Sequence, residues 1–576
     1  MKFTIKMSRN TVFYSLQLIV VAIPASLIFY YAINAGGLPD NDYWGEIAQI
    51  INKQSGRLSL NFLDWVQRGN EHYTLFPKVV YAANLIITGG NNVGLSLFTW
   101  CMALLQVLLL YLLLPIRNQQ RPVLFTLLLF AVAAFTFSPR QAHNWILGMS
   151  GVAWVSANVF SIATIVALQH YAITRSRVSG YLIFGFSLCA IATYSTSLAL
   201  FPTLVVGAFL YRLSRREQLS ILLFSLGILG LYFFTYSTPD HHPAIQQSVL
   251  VLVQYIFSFI GALFTLDLNY ALISGVVGVV SSLLMLVYIF YKKTYWLAAI
   301  PWLSIQLYVC GNAAMAALAR SGFGLEQVFA SRYGSLPALF WLSWIIIGLL
   351  FCLQLRGVLR QVSLFILFCS SSLLIFNTYR IGQSVAEPLL QRAEKKAFSL
   401  ASIYSQAIDI ELINATGLPP FSYQEMQSIT SKLAAIGHIP FNGLFKHCPT
   451  IGSKIIKIQS TDNQQFLGTF DELRWRNDQI IETKGWAYNN GSEPGCIVLT
   501  NQDNIVRGVA SYGQERLDVA QAIPRIKTDY TGWQGYGKVH KHDSMVKVYM
   551  LTDHGYWLLL NGSFKVLHHP LEFQKI

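Results

Sequence analysis

Long runs of apolar residues recur along this chain and constrain its fold more than any other feature. Eleven runs of spanning length, or close to it, are found at 12–34, 92–115, 122–138, 151–172, 180–195, 197–211, 219–236, 272–291, 295–312, 335–354 and 361–376. A straight transmembrane helix needs about 20 predominantly apolar residues. With 54% hydrophobic and only 12% charged residues, the chain lacks the polar side chains to cover a soluble surface. The sequence therefore predicts an α-helical polytopic membrane protein.

Basic residues cluster in every second loop between these runs, almost without acidic neighbours. The clusters are Lys2, Lys6 and Arg9; Arg117 and Arg121; Arg175 and Arg177; Arg212, Arg215 and Arg216; Lys292 and Lys293; and Arg356 and Arg360. Because cytoplasmic loops carry an excess of Lys and Arg, we predict a cytoplasmic N-terminus and an outward-facing C-terminus. The same clusters account for the net charge of +14, so we expect no nucleic-acid partner.

Two apolar segments, 248–266 and the first run, allow more than one interpretation. If the run 248–266 crossed the membrane, Lys292 and Lys293 would lie outside. We therefore predict that it lies in, or dips into, the outer face, which leaves eleven spans; the alternative is an ordinary span with both lysines outside. The first run is longer than the apolar core of a secretory signal peptide, so we expect an uncleaved anchor.

The composition changes after the last span, and three regions are predicted. Residues 1–376 form the transmembrane domain with a long first outer loop at 36–91, residues 377–447 a helical linker region, and residues 448–576 a β-sandwich. Short strand-like runs separated by Gly, Asn and Asp indicate the sandwich. Cys448 and Cys496 are the two cysteines of the tail. In an oxidising compartment they could pair, although sequence spacing leaves this open.

The first outer loop carries the acidic motif L-P-D-N-D-Y-W, with Asp40 and Asp42. Trp44, Ile47, Ala48 and Ile51 share one face at helical spacing, which predicts an amphipathic helix on the membrane surface with Asp42 at or near its N-cap. A carboxylate there would meet the headgroup of a lipid-linked substrate. The alternative is that Asp42 only caps the helix.

Further polar residues lie in outward-facing loops near the membrane, and these are Glu71, His72, Lys78, Arg140, His143, Arg320, Arg332 and Tyr333. Cations at membrane depth are costly unless an anion accompanies them. A phosphate on a lipid carrier would suffice, because Arg binds phosphate bidentately; pairing with Glu71, Glu326 or lipid headgroups is the alternative. Zinc-ligand spacing, P-loop and dinucleotide motifs are absent from the sequence, so no metal ligand is assigned.

These motifs resemble a known group of enzymes. An N-terminal span, an acidic first outer loop, many spans and an outer soluble domain are similar to GT-C-type membrane glycosyltransferases. D-N-D-Y-W, N-E-H-Y-T-L-F-P and A-S-R-Y-G-S resemble a bacterial branch near the O-antigen glucosyltransferases. In the tail, G-W-A, Y-G-Q-E-R-L-D-V-A and G-W-Q-G-Y are similar to β-sandwich modules appended to such enzymes.

The resemblance implies a polyprenyl-phosphate sugar donor and a polysaccharide or lipid-linked acceptor, at the periplasmic side of a bacterial inner membrane. It implies Asp42 as the first choice and Asp40 as the second for the carboxylate that takes the acceptor proton. Arg332, Arg320, Arg140 and Lys78 would stabilise the leaving phosphate, with Glu71 or His72 positioning the sugar. A divalent metal cofactor is left open.

Three other functions remain open from sequence. A transporter or flippase of lipid-linked sugars would show charges buried in mid-span and internal repeats, neither of which is evident. A polysaccharide polymerase or ligase would use a lipid diphosphate. A non-catalytic polysaccharide-binding protein would use Trp486, Trp533, Tyr536 and Tyr556 to stack on sugars, although such aromatic residues are more often core.

Overall fold

The structure is a computed structural model that describes residues 9–40, 42–52, 56–69, 71–116, 121–238, 243, 246, 248–408, 423–441, 445, 447–459, 466–568 and 571–575. Its helices are α1 Arg9–Ile33, α2 Tyr43–Gln49, α3 Phe62–Val66, α4 Leu75–Thr88, α5 Asn92–Leu113, α6 Pro122–Thr136, α7 Ala142–Ile146, α8 Gly148–Thr174, α9 Arg177–Ile191, α10 Leu200–Leu210, α11 Arg215–Phe234, α12 Val249–Gly261, α13 Leu268–Lys292, α14 Trp296–Arg320, α15 Ser335–Cys352, α16 Gly357–Tyr404, α17 Tyr423–Ile436 and α18 Leu517–Ala522. Short 3-10 turns occupy Pro139–Gln141, Ser195–Ala199, Ser321–Phe323, Leu325–Phe329 and Ser331–Gly334.

Within the described ranges, nine helical segments are long and apolar enough to cross a membrane: Phe13–Ile33, Asn92–Leu113, Pro122–Ile146, Gly148–Thr174, Arg215–Phe234, Leu268–Lys292, Trp296–Phe323, Ser331–Cys352 and Gly357–Ala393. Each overlaps one of the apolar runs found in the sequence. A 25-residue helix such as α13 extends about 38 Å, which exceeds the hydrocarbon thickness of about 30 Å. The protein is therefore a multi-pass, mainly helical membrane protein, as predicted.

The two remaining predicted spans form shorter helices, Arg177–Ile191 and Ser195–Leu210. The run near 248–266 forms α12, which has 13 residues and so measures about 20 Å. That length is short for a straight crossing, which favours the prediction that α12 stays at one face. The predicted inward and outward directions of the loops remain predictions.

The chain divides into two compact units. Unit 1 comprises Met1–Ala35, Phe62–Val80 and Asn92–Leu390, and unit 2 comprises Gly36–Asn61, Tyr81–Asn91 and Gln391–Ile576. Parts of the first outer loop thus belong to the same unit as the tail. The three regions predicted from the sequence, with boundaries at residues 376 and 447, are continuous in sequence and do not include this grouping.

In unit 2, the apolar face of α2 is covered by protein. Trp44 is 1% exposed and Ile47 is fully buried, and α2 packs against α17. The interpretation of α2 as a membrane-surface helix is therefore wrong for this face. The amphipathic pattern arose from packing against residues almost four hundred positions away, which local periodicity cannot distinguish from a lipid-facing stripe.

The tail of unit 2 is the predicted C-terminal β domain. Its strands are β3 Ile458–Gln459, β4 Phe466–Trp475, β5 Ile480–Asn489, β6 Cys496–Thr500, β7 Val506–Gln514, β8 Gly532–Lys538, β9 Met545–Leu551, β10 Trp557–Leu559, β11 Phe564–His568 and β12 Leu571–Lys575, while β1 Ile51–Asn52 and β2 Arg57–Leu58 pair in the first loop. Among the described residues, β3 to β12 join in one ten-stranded sheet of order β12-β11-β9-β6-β7-β8-β5-β4, in which β10 also pairs with β9 and β3 pairs with β10. The sheet curls, since Asn561 pairs with Thr469 of β4.

One face of this curled sheet holds the hydrophobic core of the domain. Trp533 is fully buried in it, with Phe470 and Leu499. Gly485 makes room for Trp533, because a Cβ added there would lie 2.5 Å from the indole ring. Cys448 and Cys496 form a disulfide with Cα atoms 5.3 Å apart, which ties the segment before β3 to β6.

A buried polar contact joins two loops of the β domain. Asp543 is 2% exposed and accepts hydrogen bonds from the Arg507 guanidinium and the Asn501 amide, both at 2.8 Å, and from the His540 backbone N–H. Burial raises the pKa of the Asp543 carboxyl, but the hydrogen bonds from Arg507, His540 and Asn501 outweigh it, so the net shift is downward.

We predict that Asp543→Asn destabilises the domain by about 2–4 kcal/mol, because it leaves the Arg507 charge without its carboxylate. The measurement is thermal unfolding of the purified protein at neutral pH. A group with a lowered folded-state pKa contributes fully above its unfolded-state pKa and loses its contribution only as the pH falls through the folded value, so neutral pH reports the whole effect.

Asp518→Asn is the matched control, since Asp518 also lies 2.8 Å from an arginine, Arg516, but its side chain is 67% exposed. Exposed pairs contribute about 0–1 kcal/mol. Equal losses from the two variants would contradict the assignment of the Arg507–Asp543 contact as the stabilising one.

Candidate active site

A tight turn in unit 1 presents Glu71 and His72 together. The backbones of Gly69 and His72 exchange hydrogen bonds of 2.9 and 3.1 Å, which closes the turn between α3 and α4. The Tyr232 hydroxyl of α11 donates to the Glu71 backbone carbonyl at 2.6 Å. The position of this turn is therefore set by a helix far away in sequence.

The Glu71 carboxylate forms an ion pair with the Arg320 guanidinium at the end of α14. The Glu71 side chain is 9% exposed and that of Arg320 is 21% exposed. Removing one member of a buried ion pair leaves a charge without compensation, which is strongly unfavourable. The pair thus places the Glu71 carboxylate, a hydrogen-bond acceptor, beside a cation.

His72 extends this cluster to a hydroxyl and an aromatic ring. Its Nε2 lies 3.3 Å from Oε1 of Glu71, and its Nδ1 lies 2.5 Å from the Ser195 hydroxyl. The imidazole also stacks on the Tyr194 ring, with centroids 3.8 Å apart. Three contacts on different sides fix the orientation of the ring, so His72 links the carboxylate of Glu71 to Ser195.

An aromatic wall continues from Tyr194 to the A-S-R-Y turn. Trp154 of α8 lies 5.2 Å from Tyr194 and 5.3 Å from Tyr333, measured between ring centroids. The Arg332 guanidinium lies 5.2 Å from the Tyr333 ring, within the range of a cation–π interaction. These rings connect the Glu71 cluster to Arg332.

Tyr255 of α12 lies within electrostatic range of both arginines. Its hydroxyl experiences the charges of both Arg320 and Arg332. The side chain is fully buried, and among the described residues its hydroxyl has no hydrogen-bond partner. A buried hydroxyl without a partner is unfavourable, and an anion bound near the two cations would supply one.

Arg68 supports the other side of the turn. Its guanidinium lies 4.2 Å from the Tyr73 ring and 4.6 Å from the Tyr232 ring, and it donates to the Tyr232 carbonyl at 2.8 Å. This cation joins the first loop to the end of α11.

Of the predicted donor-binding residues, Glu71, His72, Arg320, Arg332 and Tyr333 come together in unit 1. The other three, Arg140, Lys78 and His143, make hydrogen bonds to other protein groups. Arg140 is 1% exposed and donates to the carbonyls of Ala262 and Phe329 at 3.2 and 3.0 Å. Lys78 is fully buried and donates to the Gln67 carbonyl at 2.6 Å. The backbone of His143 donates to the Ser331 hydroxyl at 3.1 Å. These contacts hold loop segments in place.

Asp40 and Asp42 belong to unit 2. Asp42 occupies the N-cap position of α2, as predicted, but its side chain makes no capping hydrogen bond. Asp42 is exposed, whereas Asp40 is 2% exposed. In the part of the chain that the structure describes, no three His, Cys, Asp or Glu side chains gather as a metal site would require. The proposed reaction therefore contains no metal-dependent step.

Sequence reasoning missed Arg68, Trp154, Tyr194, Ser195, Tyr232 and Tyr255. Arg68 lies in the first outer loop and the others within or beside apolar runs, and only their positions in the fold bring them to the Glu71 cluster. Asp240, His241 and His242 lie outside the described residues.

No protein-family model and no curated protein matches this chain. Among solved structures, the crystal structure of ArnT from Cupriavidus metallidurans bound to undecaprenyl phosphate is similar, with 17% sequence identity and a TM-score of 0.36 over 68% of this chain and 81% of that chain. A likeness at this level carries no conclusion about the fold or the activity of this chain. The GT-C resemblance therefore remains a prediction.

We predict that Arg320→Met destabilises the protein by about 3 kcal/mol, because it leaves the buried Glu71 carboxylate without its cation. Adding Glu71→Gln to this variant should recover part of the loss, since the uncompensated charge is then gone. Thermal unfolding of the purified protein in detergent measures both.

The control is Arg175→Met, which breaks an ion pair with Glu217 at 3.0 Å whose side chains are 50% and 25% exposed. That loss should stay below about 1 kcal/mol. If Arg320→Met behaved like Arg175→Met, the buried pair would not hold the first loop to α14.

Proposed function

We propose that this chain is a glycosyltransferase that moves a sugar, such as a hexose, from a polyprenyl-phosphate carrier to a cell-surface polysaccharide or lipid-linked acceptor. The observation that carries the proposal is the gathering of Glu71, His72, Arg320 and Arg332 along one aromatic wall in unit 1. A buried carboxylate, an imidazole and two guanidiniums are the groups needed to bind a sugar and its phosphate.

The cations and Tyr255 suit the phosphate. Arg320 and Arg332 both act electrostatically on the Tyr255 hydroxyl, so an anionic oxygen placed there would accept its hydrogen bond and face both charges. As the carrier leaves, negative charge grows on the bridging oxygen, and fixed cations stabilise that charge most effectively away from bulk water.

The acid and the aromatic rings suit the sugar. The Glu71 carboxylate, paired with Arg320, can accept hydrogen bonds from sugar hydroxyls. The faces of Tyr194 and Trp154, 5.2 Å apart by centroid, offer apolar surface to the C–H groups of a pyranose ring.

In the reaction, the acceptor hydroxyl oxygen forms a bond to the anomeric carbon of the donor. The bond between that carbon and the phosphate oxygen breaks, and its electron pair leaves with the polyprenyl phosphate. The hydroxyl proton passes to a carboxylate, for which Asp42 is the first choice and Asp40 the second. An ionised Asp within hydrogen-bond reach of the hydroxyl is all that this step requires.

The proposed location is the outer face of a bacterial inner membrane, with the β domain in the periplasm. The basic clusters at alternate loops support this direction. Nucleotide sugars are absent there, which favours a lipid-linked donor. In the tail, Trp533 and Tyr536 are not favoured as residues that stack on sugars, because both side chains are fully buried; Trp486 and Tyr556 are partly exposed.

We predict that Asp42→Asn lowers turnover at least about 100-fold, the usual contribution of a general base. Folding should be unchanged, because Asp42 is exposed and the asparagine side chain has nearly the same shape. The assay is release of polyprenyl phosphate by purified protein with donor and acceptor. Asp64→Asn, in the same outer loop, should keep wild-type turnover; an active Asp42→Asn variant would remove Asp42 from the mechanism.

We predict that Arg332→Ala raises the KM for the donor about 10- to 100-fold, the effect of losing a hydrogen bond to a charged group of about 1.5–3 kcal/mol. Arg332→Lys should lose less, since it retains the charge. Arg356→Ala, at an exposed position between α15 and α16, is the control. Unchanged kinetics in Arg332→Ala would show that Arg332 is structural.

A further inference from the structure

His438 follows α17 and is fully buried in unit 2. The Tyr43 hydroxyl of α2 donates a hydrogen bond to its Nε2 at 2.7 Å, and its Nδ1–H donates to the Ile439 carbonyl at 2.6 Å. The rings of Tyr43 and Trp44 both lie 5.6 Å from the imidazole centroid. Burial lowers the pKa of His438 to about 4, so the ring is neutral and Nε2 accepts.

Further contacts bind the same segments. The Ile439 N–H donates to the Gly89 carbonyl at 2.8 Å. Gly90 has φ +85° and lies so close to the imidazole that an added Cβ would be 2.2 Å from Nε2. The Lys432 ammonium of α17 donates to the Ala48 carbonyl of α2 at 2.8 Å. Residues 432–439 thus contact α2 at both its ends and reach the end of α4.

The helix α2 depends on these contacts. It has seven residues, and a helix this short is unstable without tertiary packing. Asp42 directly precedes Tyr43, so the placement of the Asp42 backbone follows from the placement of the Tyr43 ring. Among the described residues, the hydrogen bond from the Tyr43 hydroxyl to His438 is the one buried side-chain hydrogen bond of Tyr43.

We propose that His438 is a positioning residue, which through its hydrogen bond with the Tyr43 hydroxyl holds Asp42 in place for proton transfer. This inference rests on the proposed function of Asp42. It makes the segment 423–441 a working part of the enzyme, and not only a connection to the β domain.

The experiment uses the full-length protein and the variants Tyr43→Phe, His438→Ala and the double variant. Tyr43→Phe removes one hydroxyl and retains the ring, so it should fold. We expect kcat to fall at least tenfold in each single variant, with the donor KM within twofold of wild type. The double variant should lose no more than His438→Ala, because both residues act through one hydrogen bond.

Hydrogen–deuterium exchange supplies a readout that does not require turnover. Amides of residues 43–50 should exchange at least tenfold faster in His438→Ala, while strands β5 to β8 keep wild-type rates. Tyr530→Phe and His542→Ala, at exposed positions of the same unit, are matched controls and should change neither kcat nor exchange.

Wild-type kcat together with wild-type amide exchange in Tyr43→Phe and His438→Ala would overturn the inference. It would also be overturned if the fold-losses in kcat of the two single variants multiplied in the double variant. Failure of the proposed function is separate, because it appears as an active Asp42→Asn variant. In that case exchange at residues 43–50 still decides whether His438 holds this segment.

Discussion

The buried ion pair between Glu71 and Arg320 is the contact around which unit 1 is arranged. It joins the first outer loop to the end of α14, 249 positions later in the chain. A buried ion pair is a poor source of stability, because the cost of desolvating both charges often exceeds their attraction. Its presence beside an aromatic wall and a second arginine is better explained by binding than by folding.

The surroundings of this pair favour a ligand that is both polar and charged. His72 is fixed by Glu71, Ser195 and Tyr194, so the imidazole cannot turn away from a bound group. The arginines that were predicted to bind phosphate differ in what they contact. Arg320 and Arg332 act together on Tyr255, whereas Arg140 binds backbone carbonyls and organises the loops.

Local patterns in the sequence predicted those parts of the fold whose cause is local. Lipid requires each span to be apolar along its own length, so nine of the apolar runs reappear as spanning helices among the described residues. The tail strands were predicted for the same reason, since their Gly, Asn and Asp boundaries lie in the sequence itself. Asp42 was likewise placed correctly at the start of α2.

The parts of the fold and of the candidate site that the sequence did not predict depend on contacts between residues far apart in the chain. The apolar face of α2 resembled a lipid-facing stripe because periodicity does not show what covers a face, and His438 covers this one. Tyr255 and Ser195 carry no sequence signal, since one tyrosine or serine beside an apolar run resembles any other. Lys78 was predicted as a phosphate ligand from its charge. The contacts of its ammonium group include the carbonyls of Gln67 and Asp64, and its role in phosphate binding stays a prediction.

The most direct test is to incubate the purified wild-type protein in vesicles with a panel of polyprenyl-phosphate sugars and a polysaccharide acceptor, and to follow the lipid and the sugar separately. Sugar transfer to the acceptor with one polyprenyl phosphate released for each sugar is the expected result. Transfer of the intact donor between the two faces of the vesicle, or no reaction with any donor in the panel, would contradict the glycosyltransferase function.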